Sequence, residues 1–209
     1  SAFEKYTDAI LDVILVDPQN RLVDRHGQQE ILFFGPDEGT ADYMDWASQH
    51  ARKRGASFWN AFTTGKSPCL GGIPHDTFGM TTRSIHKFVL GIYNKLHLHE
   101  NQVTKVQTGG PDGDLGSNEI KISGDKTKAV IDGSGVLYDP AGINRGELLR
   151  IAKLRQPISA FDVTLLGNGG FRVLVEDPNT VTLPNGEVVE NGAVFRNNFH
   201  LHPLFQADL

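Results

Sequence analysis

A glycine-rich turn near the middle of the chain carries the residue types that could do chemistry. It follows a predicted strand at 103–106 and precedes a segment with helical spacing at 115–123. Glycines let the backbone adopt left-handed conformations and approach a pyrophosphate closely, and the start of a helix adds unpaired N–H groups and a positive dipole end. The turn therefore predicts dinucleotide binding by these residues: Gly110, Pro111, Asp112, Gly113, Asp114, Leu115 and Gly116.

Asp132 stands where a ribose-binding acid belongs. It ends the run at 128–131 and lies 19 residues after Gly113. In dinucleotide-binding folds the acid follows at an offset of roughly 20 residues. Its carboxylate is therefore expected to accept hydrogen bonds from the adenosine ribose. The alternative is a turn residue ahead of Gly133.

The order of the glycines departs from G-x-G-x-x-G, which leaves two other interpretations of the turn open. Pro111 stands where the first glycine belongs, so a plain surface loop is one alternative. A cation site is the other, although the turn lacks the third short-spaced oxygen and the closing bidentate Glu of an EF-hand. Its oxygen ligands would come from Asp112, Asp114, Asn118 and Glu119.

Apolar spacing predicts the elements that position these residues. The predicted helices are 2–16, 40–54, 81–96, 115–123 and 144–155. The predicted strands are 30–34, 103–106, 127–132, 171–175 and 180–183. Strands that alternate with helices favour parallel pairing through right-handed crossovers. The expected fold class is therefore α/β with a doubly wound parallel sheet.

Composition excludes several classes of protein. The chain has 209 residues, of which 39% are hydrophobic, and this suffices for a sizeable core. A net charge of −5 argues against nucleic-acid binding, which needs clustered Lys and Arg. No apolar run is long enough to span a membrane and no secretion signal is present, so a cytoplasmic location is expected. A removed transit peptide would leave no trace, so a mitochondrial location stays open.

Two pairs of histidines raise zinc as a further alternative. His97 and His99, together with His200 and His202, have strand spacing and could share a face. The lone Cys69 lies in a separate glycine-rich loop, and the chemistry inferred below needs neither a metal nor a cysteine nucleophile. We therefore predict no metal site.

Four segments, in this order and spacing, resemble the large NAD-specific glutamate dehydrogenases of the Glu/Leu/Phe/Val dehydrogenase superfamily. They are Phe33 to Thr40, Lys66 to Asp76, Thr108 to Ile120 and Gly135 to Ile143. The resemblance implies a Rossmann-like NAD-binding domain at 31–209, preceded at 1–30 by the helical end of the substrate domain. It also implies reversible oxidative deamination of L-glutamate to 2-oxoglutarate and ammonia, with hydride transfer to NAD, in a full-length homo-oligomer.

The same resemblance assigns roles to individual residues. Asp37 matches the catalytic aspartate that moves protons during deamination, and its alternative role is the N-cap of the helix from Thr40. Thr81 is similar to the threonine that contacts the nicotinamide carboxamide, and Arg83 matches the neighbouring arginine. The match requires one inserted residue, so Thr82 stays open for that contact, and a helix cap is the alternative role of Thr81.

Asp132 carries over as the ribose-binding acid, and its charge would repel a 2′-phosphate and favour NAD over NADP. In this family the substrate-binding lysines belong to a preceding domain, so we expect the 209-residue chain alone to be inactive. The abrupt ends suggest a piece of a longer polypeptide. Two other functions stay open: a dehydrogenase for Leu, Val or Phe, and a non-catalytic dinucleotide-binding regulatory module.

Overall fold

The computed structural model describes residues 1–15, 26, 33–37, 39–177 and 180–209. The chain forms two compact units, Ser1–Phe78 and Gly79–Leu209. The sequence-based division lies elsewhere, at residue 30, because it treats the first helix as a segment apart. In the structure that helix packs on the second one, so both belong to the first unit. Which unit serves the substrate and which the cofactor stays a prediction.

The described part of the first unit is helical, with α1 (Ala2–Ile14), α2 (Ala41–Lys53) and α3 (His75–Phe78). Helix α1 starts at a capping box, in which the side chains of Ser1 and Glu4 each accept from the other's backbone nitrogen. The apolar stripe of α1 packs against α2 and a cluster of aromatic rings, as its spacing of three and four predicts.

Some predicted elements fall partly outside the described residues. Residue 16 of the first predicted helix is one case, and residues 30–32 of the predicted strand at 30–34 are another. The described end of that strand does pair, because Phe34 forms an isolated parallel bridge with Thr63.

The second unit begins with α4 (Met80–Leu96) and continues with alternating strands and helices. The elements that follow are β1 (Thr104–Thr108), α5 (Asp114–Ile122), β2 (Lys126–Ile131), β3 (Gly135–Tyr138), α6 (Arg145–Lys153), β4 (Phe171–Leu174), β5 (Val181–Thr182), β6 (Val188–Val189) and α7 (Gly192–Asn198). Helix α6 begins as its sequence predicts, since the Asn144 side chain accepts from the Glu147 backbone N–H.

The four-stranded sheet has the order β1-β2-β3-β4, and the α/β class is confirmed. Strands β1 and β2 are parallel and are joined through α5. The expectation of a parallel sheet fails for β3 and β4, which pair antiparallel with their neighbours. The physical reason is the short link 132–134, because a parallel crossover needs a dozen or more residues whereas a tight turn returns the chain antiparallel.

The sheet separates two apolar clusters. Alternate residues of β2 point to opposite faces, so Val130 packs with α5 and α6 while Ala129 and Ile131 pack on the other side. The α6 face includes Leu148 and Ile151. The opposite cluster contains residues of β4, β5–β6 and the end of α7. Burial on both faces holds the β1–α5 turn on a rigid base.

The free edge of β1 is occupied by the last residues. The Leu209 N–H donates to the Thr104 carbonyl at 3.1 Å, and the Leu209 carbonyl accepts from the Val106 N–H at 3.0 Å. This is the pattern of a parallel pair. Across the part of the chain described above, no helix combines the length and the apolar content that a bilayer crossing requires.

Candidate functional site

The glycine-rich turn connects the carboxyl end of β1 to the N-terminus of α5. Gly109 adopts a left-handed φ of 109°, and its N–H donates to the Ile131 carbonyl at 2.8 Å, which continues the parallel pairing with β2. Gly113 is the N-cap of α5 and supplies no side-chain cap. The start of α5 is therefore open to an outside acceptor such as a phosphate oxygen.

Two glycines allow the turn to pack closely on its surroundings. A Cβ atom on Gly116 would lie 2.2 Å from the Gly110 carbonyl oxygen and 2.6 Å from that of Gly109. A Cβ atom on Gly110 would lie 2.5 Å from the Cβ of Asp132. The first turn of α5 thus rests directly on the backbone of the loop, as the last glycine of a dinucleotide-binding turn requires.

Asp132 lies beside the turn, but its carboxylate is held by the protein. It is 4% exposed. Its Oδ1 accepts from the backbone N–H of Ser134 at 2.7 Å, the Ser134 hydroxyl at 2.7 Å and the Gly135 N–H at 3.2 Å. Its Oδ2 accepts from the Ile158 N–H at 2.7 Å. A ribose hydroxyl would therefore have to share Oδ2 with the Ile158 N–H or replace one of these donors, a constraint that sequence spacing does not reveal.

The carboxylates of the turn differ in their surroundings. Asp112 is exposed, whereas Asp114, the first residue of α5, pairs with the Arg155 guanidinium at 3.0 Å. Arg155 has a left-handed φ of 53°, which is uncommon for a residue with a side chain. This arginine offsets part of the negative charge that Asp114 brings to the helix N-terminus, where a phosphate would otherwise meet repulsion.

Thr82, one of the candidates on α4, contacts the first turn of α5. Its hydroxyl donates to the Leu115 carbonyl at 3.3 Å and the residue is buried, whereas Thr81 and Arg83 are exposed. The N-cap of α4 is Gly79, so the alternative role of Thr81 as the helix cap is wrong. Leu115 itself is exposed, while Pro111 is buried.

Asp37 belongs to the first unit, separately from the ten cofactor-binding candidates, which lie in the second. It is exposed. Its backbone N–H donates to the Thr40 hydroxyl at 2.8 Å, and that hydroxyl donates to the Asp37 carbonyl at 2.7 Å. Thr40 is the N-cap residue of α2, so the alternative role of Asp37 as that cap is wrong.

The double-glycine loop of the first unit packs on its own lysine. A Cβ atom on Gly72 would lie 2.2 Å from the Lys66 carbonyl oxygen, and Gly71 has a left-handed φ of 77°. Lys66 is 5% exposed, and its ammonium donates to the Thr63 carbonyl at 2.5 Å. Gly72 therefore serves a close approach of backbone to backbone within this loop, and Gly71 provides its left-handed turn.

A buried ionic cluster, which the sequence analysis did not identify, lies near the N-terminal end of β1. The Lys105 ammonium lies 2.8 Å from Asp125, 3.0 Å from Glu119 and 2.9 Å from the Ser123 hydroxyl. His86 approaches Glu119 as well. Alternation along β1 could have signalled this, because a lysine at an inward position of a buried strand needs a carboxylate partner.

Tyr93 borders this cluster, and its hydroxyl has no hydrogen-bond partner among the described residues. The ring is 6% exposed. Burial, together with the carboxylates of Asp125, Glu100 and Glu119, raises the pKa of Tyr93 to about 12. The phenol therefore stays protonated in the folded protein well above its ordinary pKa of 10.0.

Tyr93→Phe is expected to leave stability at pH 7 unchanged or to raise it by about 1 kcal/mol, because it removes a buried polar group without a partner. In the wild type, the stability that the raised pKa provides is complete below pH 10 and is lost as the pH rises through about 12. Urea unfolding from pH 8 to 12 should show a smaller alkaline loss in the variant. An equal loss in both proteins would contradict this.

The cation and zinc alternatives find no support in the described ranges, which contain no group of three or more His, Cys, Asp or Glu placed to hold a metal ion. His202 hydrogen-bonds Glu187 at 2.9 Å and stacks on Phe199.

Comparison with known proteins settles the family. The model of the Glutamate/Leucine/Phenylalanine/Valine dehydrogenase family matches residues 71–189. The chain belongs to this family. It is 61% identical over 208 residues to glutamate dehydrogenase 2 of Dictyostelium discoideum, and 59% identical over 204 residues to the NAD-specific glutamate dehydrogenase of Neurospora crassa. These matches cover 100% and 96% of the chain but only 20% and 19% of the relatives, so the chain spans about a fifth of their length.

Solved members of the family share the fold. The glutamate dehydrogenase of Plasmodium falciparum aligns with a TM-score of 0.58 at 17% identity, over 84% of this chain and 35% of that one. The hetero-hexameric glutamate dehydrogenase of Thermus thermophilus aligns with a TM-score of 0.51 at 21% identity, over 73% of this chain and 34% of that one. The family model and the relatives of 61% and 59% identity confirm the family resemblance predicted from four sequence segments.

Proposed function

We propose that this chain is the cofactor-binding part of an NAD-dependent glutamate dehydrogenase. The reaction is oxidative deamination of L-glutamate to 2-oxoglutarate and ammonia, and the bound NAD supplies the hydride acceptor. The observation that carries the proposal is the β1–α5 turn, in which Gly116 rests on the loop backbone and the helix start lacks a side-chain cap. The names of the relatives, which are NAD-specific glutamate dehydrogenases, support the choice of substrate and cofactor.

The turn would hold the diphosphate through backbone N–H groups at the start of α5. The proposed ligands are the residues from Gly110 to Gly116, with Thr81 or Thr82 and Arg83 toward the nicotinamide. The buried position of Thr82, against Leu115, favours Thr82 over Thr81 as the residue that contacts the nicotinamide. Arg155 would lower the repulsion between Asp114 and the phosphates.

Asp132 would disfavour a 2′-phosphate by its charge, whether or not it touches the ribose directly. Its position against Gly110 supports this role, and its four protein donors fix the carboxylate in place. Asp37 is proposed as the group that moves protons at the amino nitrogen and through the water that hydrolyses the imine. The exposed position of this residue is compatible with that task.

Calorimetric titration of the 209-residue chain with NAD and with NADP tests the proposal. We expect NAD to bind with a dissociation constant of about 1 mM or lower, and NADP to bind at least about ten-fold more weakly, a difference of about 1.4 kcal/mol. A flat response at millimolar NAD would contradict the proposal and favour a regulatory module with a degenerate dinucleotide fold. Equal affinity for both nucleotides would contradict only the proposed role of Asp132.

The amino-acid substrate is tested with the full-length enzyme, since the chain spans a fifth of its relatives. Glutamate should be oxidised in preference to leucine, valine and phenylalanine in a panel assayed by NADH absorbance. The 209-residue chain alone should show no turnover, because the hydride site needs both walls of a cleft.

A further inference from the structure

The inward side chains of β1 that lie closest to α5 are both polar. Lys105 and Gln107 are buried, at 4% and 7% exposure, and they alternate with the half-buried Val106. Strands beneath a helix in an α/β sheet usually carry apolar side chains at such positions. Lys105 reaches the end of α5 at Glu119. Gln107 reaches the start of the same helix.

The Gln107 amide bridges the loop and the helix. Its Nε2 donates to the Gly109 carbonyl at 2.8 Å and to the Gly116 carbonyl at 3.2 Å. Two carbonyl oxygens can only accept, so the nitrogen must face them. Gly109 and Gly116 also pack closely on each other, since an added Cβ on Gly116 would lie 2.6 Å from the Gly109 oxygen.

The oxygen of the same amide has a less favourable environment than the nitrogen. Gln107 Oε1 is buried and accepts no hydrogen bond from the described residues. A buried acceptor without a donor lowers stability. Gln107 therefore holds a specific geometry between two carbonyls at a cost in stability, which indicates that its benefit lies in the shape of the turn.

We propose that Gln107 is a positioning residue for the nucleotide diphosphate. This inference rests on the proposed function. The amide holds the Gly109 and Gly116 carbonyls together, and so fixes the distance between the loop and the N–H groups at the start of α5. Without the two N–H donors, both carbonyls lose the hydrogen bonds that link the loop to α5, and the turn opens before the nucleotide arrives.

Gln107→Met tests this, since methionine has similar length but no donor. The 209-residue chain is titrated with NAD, with ADP and with adenosine, well below the melting temperature of each variant. We expect affinity for NAD and ADP to fall by about ten-fold, because both carry a diphosphate, while affinity for adenosine stays within two-fold, roughly.

Ser123→Ala is the matched control. It removes the buried hydrogen bond between the Lys105 ammonium and the Ser123 hydroxyl, at the C-terminal end of α5. The substitution therefore perturbs the same helix without touching the turn. Its melting temperature should fall while its affinity for NAD stays unchanged. Hydrogen exchange at the amides of residues 113–115, measured without ligand, should accelerate in Gln107→Met and stay unchanged in Ser123→Ala.

The possible outcomes distinguish a failure of the proposed function from a failure of the inference about Gln107. If the unsubstituted chain fails to bind NAD, the proposed function and this inference both fall. If it binds NAD and Gln107→Met binds equally well, or if both variants weaken NAD and adenosine by the same factor, the inference alone is overturned. If Gln107→Met does not fold, Gln107→Leu, which also lacks a donor and brings no charge into the buried site, is measured instead, with the same expectations.

Discussion

Lys105→Met is expected to lower the free energy of unfolding by about 3–5 kcal/mol, because it leaves buried carboxylates without their cation. Lys105 is 4% exposed, and the side chain of Asp125, at 2.8 Å, is 2% exposed. Glu119 would lose the same partner. Desolvated charges are tolerated only when they are paired, so the penalty falls on the groups that remain.

Urea denaturation followed by circular dichroism measures this effect, with the m-value checked for constancy. Lys121→Met is the control, since it makes the same substitution at an exposed lysine of α5 and should change stability by no more than about 0.5 kcal/mol. The double variant Lys105→Met/Asp125→Asn should recover part of the loss, because it removes one of the unpaired charges. A Lys105→Met protein as stable as Lys121→Met would show that the cluster contributes nothing.

Gly116→Ala is expected to destabilise the protein by about 1–3 kcal/mol, although alanine is the better helix former. The added methyl group would lie 2.2 Å and 2.6 Å from two backbone oxygens, and a backbone cannot give way as a flexible side chain can. The loop must move away from α5, so affinity for NAD should fall by at least about ten-fold, or 1.4 kcal/mol.

Gly91→Ala is the matched control for that experiment. Gly91 lies inside α4, and a Cβ atom there would meet nothing within 4 Å. The same substitution should therefore stabilise the protein by about 0.5–1 kcal/mol and leave NAD affinity unchanged. Opposite signs at the two glycines would support the packing role of Gly116. Stabilisation at both positions would show that the turn can accommodate a methyl group at Gly116.

The elements of the fold could be predicted where the signal is local. The apolar spacing of α1 and the capping residues of α6 are properties of neighbouring residues, and the structure agrees with both. The glycine turn between β1 and α5 is a local signal in the same sense. Gly110 and Gly116 lie where the structure leaves no space for a Cβ atom, and glycine is the residue type that lacks one. Strand β3 is not among the predicted strands, although the short link after β2 is a local signal for an antiparallel return.

The sequence by itself determined the first residue of α1, α2, α4, α5 and α6 to within one position, where the backbone must lack side chains, and which family the chain resembles. These features depend on residues close in order or on their types. Only the tertiary structure decided the partners of the polar groups. Asp132 is held by Ile158, 26 residues away, and Thr82, in preference to Thr81, reaches Leu115. A carboxylate or hydroxyl bonds whichever group the folded chain brings within about 3 Å, and spacing along the sequence does not specify that group.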